Sequence, residues 1–572
     1  MSPDTTTARD DDTADASVAD AAAPLDSLLV DAALGPMRRF TPDSSTAAWA
    51  ASMVRHPRRT SSRLLGWAAE AGRIATGSSE VAPDQRDRRF TDPAWSENPL
   101  LRRVVQLYLA SGRTLEELVA AADLGTRDAA RVQFLVDNVV EAASPSNVPL
   151  VNPTSAKTAI DTAGMSLVRG SRRLLTDVAS APRIPEMVDR SGFEVGRNIA
   201  ATPGTVVLRT EVLELIHYTP QTAKVRETPV LVVPPTINKY YALDLAPGRS
   251  LVEHLVQQGQ QMFLISWRNP DARHAAWGFD TYVRSILEAL EAVEEIAGSD
   301  QVMLGGICSG GILASITAAY LAGTGQPDRL AGLLLAVTVL DNADAGTVSA
   351  LTNPALAERA KQMSARKGYL EGTALAEVFA WLRPGDLIWN YWVNNYLLGK
   401  TPPAFDILFW NADTTRMSAA LHADFVDMAM DNLLTRPGSL MVLGQPIDLG
   451  QVTVDAYVVA GIADHITPWE NCYRTTQLLG GDTRFVLSTS GHIAALVNPP
   501  DNPKASFFAG GDNVPDAQDW LRAATKEQGS WWRDADTWLA AHNGKKVAAP
   551  AGPGSALHPP LGEAPGTYVF DK

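Results

Sequence analysis

Residues 304–311 read LGGICSGG. They lie in an uncharged run from Gln301 to Pro327 that changes character at Gly305 and Gly306. The run is long enough to span a bilayer. Its repeated glycines fit better with a buried strand, a tight turn and a buried helix. Strand, G-x-C-x-G and helix in that order are the parts of a nucleophile elbow. Such a turn is so sharp that small residues must flank the nucleophile, whose side chain projects above the carboxyl ends of the strands. Gly306 and Gly310 give that room around Cys308, and Gly311 lets the following helix approach the sheet. The helix N-terminus brings positive dipole and free N–H groups beside the thiol. Alone, the same residues also fit an inert cysteine in a glycine-rich turn, so the surroundings decide.

Outward from the box, from about Asn198, short β-rich runs alternate with helical segments. The runs are TVVLRTEVLELIHY (205–218), PVLVVPP (229–235), QQMFLISW (260–267), QVMLGG (301–306), LAGLLLAVTVL (330–340), VTVDAYVVAG (452–461) and TRFVLSTSG (483–491). Between them, segments such as FDTYVRSILEALEAVEEIAG (279–298) are amphipathic at the helical period. This alternation predicts an α/β architecture, a mostly parallel sheet covered on both faces. The interval from Leu340 to Val452 lacks it and is rich in tryptophan, which predicts a helical cap over about 341–451.

In an elbow-based site the acid and base follow the nucleophile in chain order, each just after a strand. Asp464 follows the apolar run ending at Gly461, and His492 follows the last run, behind Gly491. Cys308, Asp464 and His492 therefore stand in the expected order. The other histidines, at 56, 217, 254, 274, 422, 542 and 558, lie on helices, strand ends, loops or tails and read as structural. His465 adjoins Asp464 and fits either a supporting place in the pocket or a structural one. Cys472, at the start of a helix, reads as core. The loop LVVPPTINKYY (231–241) follows an early strand, where a second oxyanion donor belongs beside the N–H after the nucleophile. Those donors are the backbone N–H of Ser309 and of Ile237; a plain proline turn is the competing reading.

The thiol bears on the reaction. A serine attacking a thioester makes an oxygen ester, which is downhill and poised for hydrolysis. A cysteine makes another thioester at nearly equal free energy, so the acyl group stays activated for a different acceptor. Paired with histidine, it also reaches its thiolate readily. This chemistry points to acyl transfer from a thioester donor, although cysteine hydrolases exist.

Composition sets the remaining bounds. The 572 residues suffice for two or more domains, and a formal net charge of −15 argues against a nucleic-acid partner. Part of that charge is local: Met1 to Asp26 holds seven aspartates and one arginine with almost nothing large and apolar. Such a stretch cannot offset its ordering entropy by burial and is expected to be disordered. Residues 28–197 carry apolar positions at helical spacing, as in LLRRVVQLYLASGRTLEELVAAAD (100–123), and predict a helical N-terminal region with turn-rich loops at 90–99 and 144–155. Two cysteines give no disulfide framework and fit a reducing compartment, and no signal peptide is expected. No metal-ligand spacing, Walker motif or dinucleotide glycine pattern occurs, so no metal or cofactor is expected.

GICSGG resembles the G-x-C-x-G-G box of poly(3-hydroxyalkanoate) synthases of the long, single-subunit type. The likeness continues in FTDPAWSENPL (90–100), SPSNVPLVNP (144–153), MSLVRG (165–170), PPTINKYYALDL (234–245), SWRNPD (266–271), DLIWNYWVNNYLLG (386–399), FDILFWNADTTRM (405–417), DHITPWENCY (464–473) and SGHIAALVNPP (490–500), across roughly residues 85 to 535. The resemblance implies an α/β-hydrolase-type catalytic domain (198–546) with the inserted cap, preceded by the helical domain (28–197); the acidic tail (1–27), read from composition, comes before them. A Pro/Gly/Ala-rich C-terminal tail (547–572) that wraps the surface or is flexible follows. It implies a Cys–His–Asp site on Cys308, His492 and Asp464, (R)-3-hydroxyacyl-CoA as donor and a polyester chain as product. It further implies a homodimer with contacts near Trp410, a cytoplasmic place at the surface of storage granules with phasin-like coat proteins, and no transmembrane anchor. DLIWNYWVNNYLLG looks more like the medium-chain synthases. Thr236, where the family often has a bulkier residue or cysteine, and the acidic tail depart from the pattern and leave monomer length open. The competing expectations are a cysteine-type thioesterase or polyester depolymerase on the same fold, and a non-catalytic granule-associated protein.

Overall fold

The computed structural model describes residues 25–35, 40–343 and 354–572. Most of the acidic stretch expected to be disordered, 1–24, and cap residues 344–353 lie outside them. Among the described residues eleven strands form one sheet. In chain order they are β1 (Gly204–Arg209), β2 (Leu213–Tyr218), β3 (Val230–Val233), β4 (Met262–Trp267), β5 (Val302–Ile307), β6 (Leu330–Ala336), β7 (Ala456–Gly461), β8 (Thr483–Ser488), β9 (Ser506–Ala509), β10 (Thr525–Gln528) and β11 (Gly562–Glu563). They lie side by side as β10-β9-β8-β7-β6-β5-β3-β4-β2-β1-β11. The six from β8 to β4 run parallel. Antiparallel strands extend both edges.

The parallel centre follows from composition. β3, β4, β5 and β7 are buried at every position, as strands covered on both faces must be. Alternate residues serve two cores. Leu231, Leu304 and Val458 pack with Ile286, Leu290 and Leu313 of helices Phe279–Ala297 and Ser309–Gly323. Val232, Met303 and Val459 pack with Val252, Trp532 and Leu539 of helices Leu251–Gln257 and Trp532–His542.

Several expectations are corrected. The run 205–218 is two antiparallel strands, because the Thr210 hydroxyl accepts the N–H groups of Val212 and Leu213 and closes a reversal. The run 330–340 stops as a strand at Ala336, where Val337 turns to φ 45°. β8 is the last parallel strand but not the last of the sheet, since β9 and β10 extend it. The turn-rich loops contain short helices at Ala94–Glu97 and Pro145–Asn147. Helix Leu25–Leu34, expected with the N-terminal helices, instead buries Leu28, Leu29 and Val30 among Ala357, Ala360, Leu375 and Phe425 of the cap. The other N-terminal helices, including Pro57–Thr76, Pro99–Ala120, Thr126–Ala142 and Met165–Ala179, follow the predicted periodicity.

The cap carries helices Pro354–Lys367, Gly372–Leu382 and Ala419–Met430, with π-helical turns at Gly385–Trp389 and Trp392–Leu397. Trp392 Nε1 donates to Asn147 O at 3.0 Å, joining cap to N-terminal helices. The C-terminal tail is packed: β11 pairs with β1, and the Glu214 carboxylate, fully buried on β2, accepts the N–H groups of Thr567 and Tyr568 at 2.8 and 2.9 Å. No helix among the described residues is long and apolar enough to cross a membrane.

Candidate active site

Cys308 directly follows β5 and precedes helix Ser309–Gly323. Its backbone has φ 51° and ψ −123°, outside the comfortable range of an L-residue. Such strain is the mark of a nucleophile elbow, and the neighbouring glycines show why it is tolerated. A Cβ on Gly306 would lie 2.6 Å from Gly311 Cα and 2.7 Å from Ala314 Cβ. On Gly310 it would strike the carbonyls of Val233 and Pro234, and on Gly311 the side chain of Thr338. Cys308 N–H donates to Ala336 O at 2.9 Å, fixing the turn to β6.

Asp464 and His492 come from the carboxyl ends of β7 and β8, on the same edge of the sheet as Cys308. Ile462 N–H donates to Ser488 O at 2.8 Å and Ala463 N–H to Ser490 O at 3.2 Å, so the two loops are tied together. Gly491 provides the close approach: a Cβ there would sit 3.1 Å from Ala463 O.

His492 Nδ1 and Asp464 Oδ2 are 2.6 Å apart, with His492 8% and Asp464 2% exposed. Burial by itself raises the Asp464 carboxyl, but the His492 charge and hydrogen bonds from His492 and Thr467 outweigh it and hold the carboxyl below its usual range. Burial pulls His492 down, but the Asp464 carboxylate and the interaction with Cys308 outweigh it and raise the imidazole. An ionised carboxylate only accepts, so Nδ1 carries a proton and Nε2 of the neutral ring is the free base. Cys308 is half-buried.

Thr467 was missed from sequence. Its hydroxyl donates to Asp464 Oδ2 at 2.5 Å, and the N–H groups of Ile466 and Thr467 donate to Oδ1 at 2.8 and 3.0 Å. Asp464 forms an Asx turn with the N–H of Ile466, and the D-x-x-T spacing that places a hydroxyl just beyond it is the signal that could have found Thr467. His465 is half-buried beside the pair, and burial lowers it to about 4, so it is neutral near pH 7. Cys472 is fully buried, 3.8 Å from Thr467 O, and burial pushes its thiol well up.

Ser309 opens its helix, where N–H groups lack intrahelical acceptors. Its hydroxyl takes the N–H of Thr236 at 3.0 Å, which brings the loop of Ile237 against the elbow. Trp410, expected at a dimer contact, is only 5% exposed, and its Nε1 donates to Lys239 O at 2.7 Å. The buried indole N–H needs an acceptor, and this loop supplies one within the chain. The histidines set aside as structural include His254 and His542, paired with Asp536 and Asp455 at 2.8 and 3.0 Å.

Residues 86–255 match the family model described as the N-terminus of poly-beta-hydroxybutyrate polymerase (PhaC), and residues 229–499 match that of the alpha/beta hydrolase fold. The chain is 46% identical over 519 residues to poly(3-hydroxyalkanoate) polymerase 2 of Ectopseudomonas oleovorans, covering 91% of this chain and 92% of that one. It is 40% identical over 507 residues to the poly(3-hydroxyalkanoate) polymerase subunit PhaC of Cupriavidus necator, covering 87% and 85%. To the poly(3-hydroxyalkanoate) polymerase of Methylorubrum extorquens it is 38% identical over 515 residues, covering 88% and 84%. With an α/β-hydrolase sheet, a helical N-terminal region and this similarity along nearly its whole length, the chain belongs to the poly(3-hydroxyalkanoate) polymerase family.

Proposed function

We propose that the protein polymerises (R)-3-hydroxyacyl-CoA into poly(3-hydroxyalkanoate), with release of CoA, through an acyl thioester on Cys308. The observation that carries this reading is the buried Asp464–His492 pair, 2.6 Å apart, on the sheet edge that also carries the strained Cys308 elbow.

His492 Nε2 takes the Cys308 thiol proton. The thiolate forms a C–S bond to the acyl carbon of the donor, and the carbonyl electron pair moves onto oxygen. Backbone N–H groups of Ser309 and Ile237 receive that oxyanion. Collapse breaks the bond to CoA sulfur, which takes the proton from His492 and leaves. In the second half, the 3-hydroxyl of another hydroxyacyl group gives its proton to His492 and attacks the Cys308 thioester. A C–O ester bond forms, the C–S bond breaks and the thiol is reprotonated. Asp464 orients and balances His492 rather than acting on the hydroxyl: both of its oxygens are already engaged, by His492, Thr467 and Ile466.

The same reading puts the polyester chain, a granule surface with phasin-like coat proteins and a homodimer around this catalytic domain. It divides the chain into a helical region (28–197), a catalytic domain (198–546) and a tail (547–572). Replacement of Cys308 by Ala is the test. Turnover is expected to vanish, and polymer accumulating from the variant contradicts the reading.

A further inference from the structure

The loop between β3 and the turn Tyr240–Ala242 is stitched to the cap along its length. Asn238 forms an antiparallel bridge with Thr414. Trp410 Nε1 donates to Lys239 O, and Tyr241 Oη donates to Asp413 Oδ2, both at 2.7 Å. The tightest stitch is at Thr415. Its N–H donates to Ile237 O at 3.1 Å, its hydroxyl donates to the same oxygen at 2.5 Å, and that hydroxyl also lies 3.3 Å from Thr236 O. Thr236, Ile237 and Thr415 are all buried.

The position of that hydroxyl matters because a trans peptide is planar. The N–H of Ile237 points opposite to the carbonyl of Thr236 in the same peptide plane. A group that holds the carbonyls of Thr236 and Ile237 therefore sets the direction of the N–H between them. The other donor, the N–H of Ser309, is fixed by its helix and belongs to the sheet domain. The two donors are thus aligned from different parts of the fold.

We infer that Thr415 is a positioning residue for the oxyanion site: its hydroxyl aims the Ile237 N–H, so the site is complete only while cap residues 413–415 are docked on the loop. The inference rests on the reading of Cys308 and Ile237 under Proposed function. Thr415 touches no reacting atom. It couples the seating of the cap to the stabilisation of charge on the thioester oxygen.

The test compares two reactions of the same thiol in the full chain. Acylation of Cys308 by a saturated acyl-CoA without a 3-hydroxyl, followed by mass spectrometry in a single turnover, needs the oxyanion site. Alkylation of Cys308 by iodoacetamide does not. Removing an oxyanion donor outright costs about 100- to 1,000-fold in kcat. Misaiming one is expected to cost roughly 10- to 100-fold on that scale. Thr415→Val keeps the shape and the backbone N–H, and the smaller Thr415→Ala gives a second loss of the hydroxyl in case valine is not accommodated. Both are expected to slow acylation with alkylation and KM unchanged, and Thr415→Ser is expected to restore it. Acylation at the parent rate in both hydroxyl-free variants overturns the inference. So does a parallel fall in alkylation, which marks general disruption of the fold, or a failure of serine to rescue. If the unmodified protein alkylates at Cys308 but never acylates there, the nucleophile reading itself fails and this inference falls with it.

Discussion

The Asp464 carboxylate and the His492 imidazole meet at 2.6 Å across the ends of two neighbouring parallel strands, both shielded from solvent. Asp464 does not depend on His492 alone: Thr467 and the N–H of Ile466 fill its other acceptor sites. A carboxylate so held stays ionised and keeps a proton on Nδ1 of the ring, leaving Nε2 free of Asp464.

Replacing Asp464 by Asn tests this through pH. In the parent His492 is raised above its ordinary 6.5 and Asp464 is held below its ordinary 3.8. The protonated imidazole therefore contributes stability that is fully present below 6.5 and lost as pH rises through the raised value. The carboxylate contributes stability present above 3.8 and lost as pH falls through its lowered value. In Asp464→Asn the His492 proton is expected to leave at a lower pH, read by NMR of labelled histidine. Activity is expected to fall by roughly 100- to 10,000-fold, the scale of general-base catalysis lost when His492 is no longer held in the right tautomer. An unchanged His492 midpoint would show that the carboxylate does not set the imidazole.

Gly310→Ala addresses the elbow. The added methyl would strike backbone carbonyls of Val233 and Pro234, which cannot swing aside as a side chain can. A loss of about 1–3 kcal/mol or more is expected in chemical unfolding, the scale of overpacking. Activity should fall further than stability explains, since Cys308 moves with the turn. A variant with parent stability and turnover would mean that the turn is looser than its geometry indicates.

Lys239→Met addresses the tail. Lys239 is 3% exposed and donates through Nζ to Asp571 O at 2.7 Å and Tyr568 O at 3.3 Å. Burial lowers its ammonium below the usual lysine range. Methionine has similar length but removes the charged donor, leaving Asp571 O with Asn269 Nδ2 at 3.4 Å and Tyr568 O with the N–H of Asp571 at 3.1 Å; the lost bonds to a charged group are worth about 1.5–3 kcal/mol. Hydrogen exchange at residues 567–572 is expected to quicken. Unchanged exchange there would mean that Glu214, Asn269 and Arg416 hold the tail without Lys239.

The parts of this molecule that were legible in sequence share one property. Cys308, Asp464 and His492 each follow a continuous apolar run, so chain order and local pattern were enough to rank them. The contacts that join the loop 231–241 to the turn after Cys308 and to the cap were not legible. Ser309 meets Thr236 across 73 positions and Thr415 meets Ile237 across 178, and nothing local marks either pair. The sheet edges were missed for a related reason. β10 is exposed at every residue and β11 has two residues, so neither carries an apolar signal. The tail was read from its proline and glycine content, whereas its docking depends on Glu214, 354 positions from Tyr568. Trp410 is buried and its indole N–H is satisfied within the chain by a contact that no local pattern marks.

The most direct test incubates the purified protein with (R)-3-hydroxyacyl-CoA of short and of medium chain length. Thiol release is followed, the acyl product is identified, and Cys308 is examined by mass spectrometry. Insoluble polyester, CoA released in proportion to monomer, and an acyl group on Cys308 during turnover are expected. Free hydroxy acid with no polymer would contradict this reading: water would be the acceptor, and the thiol would serve hydrolysis instead of chain growth.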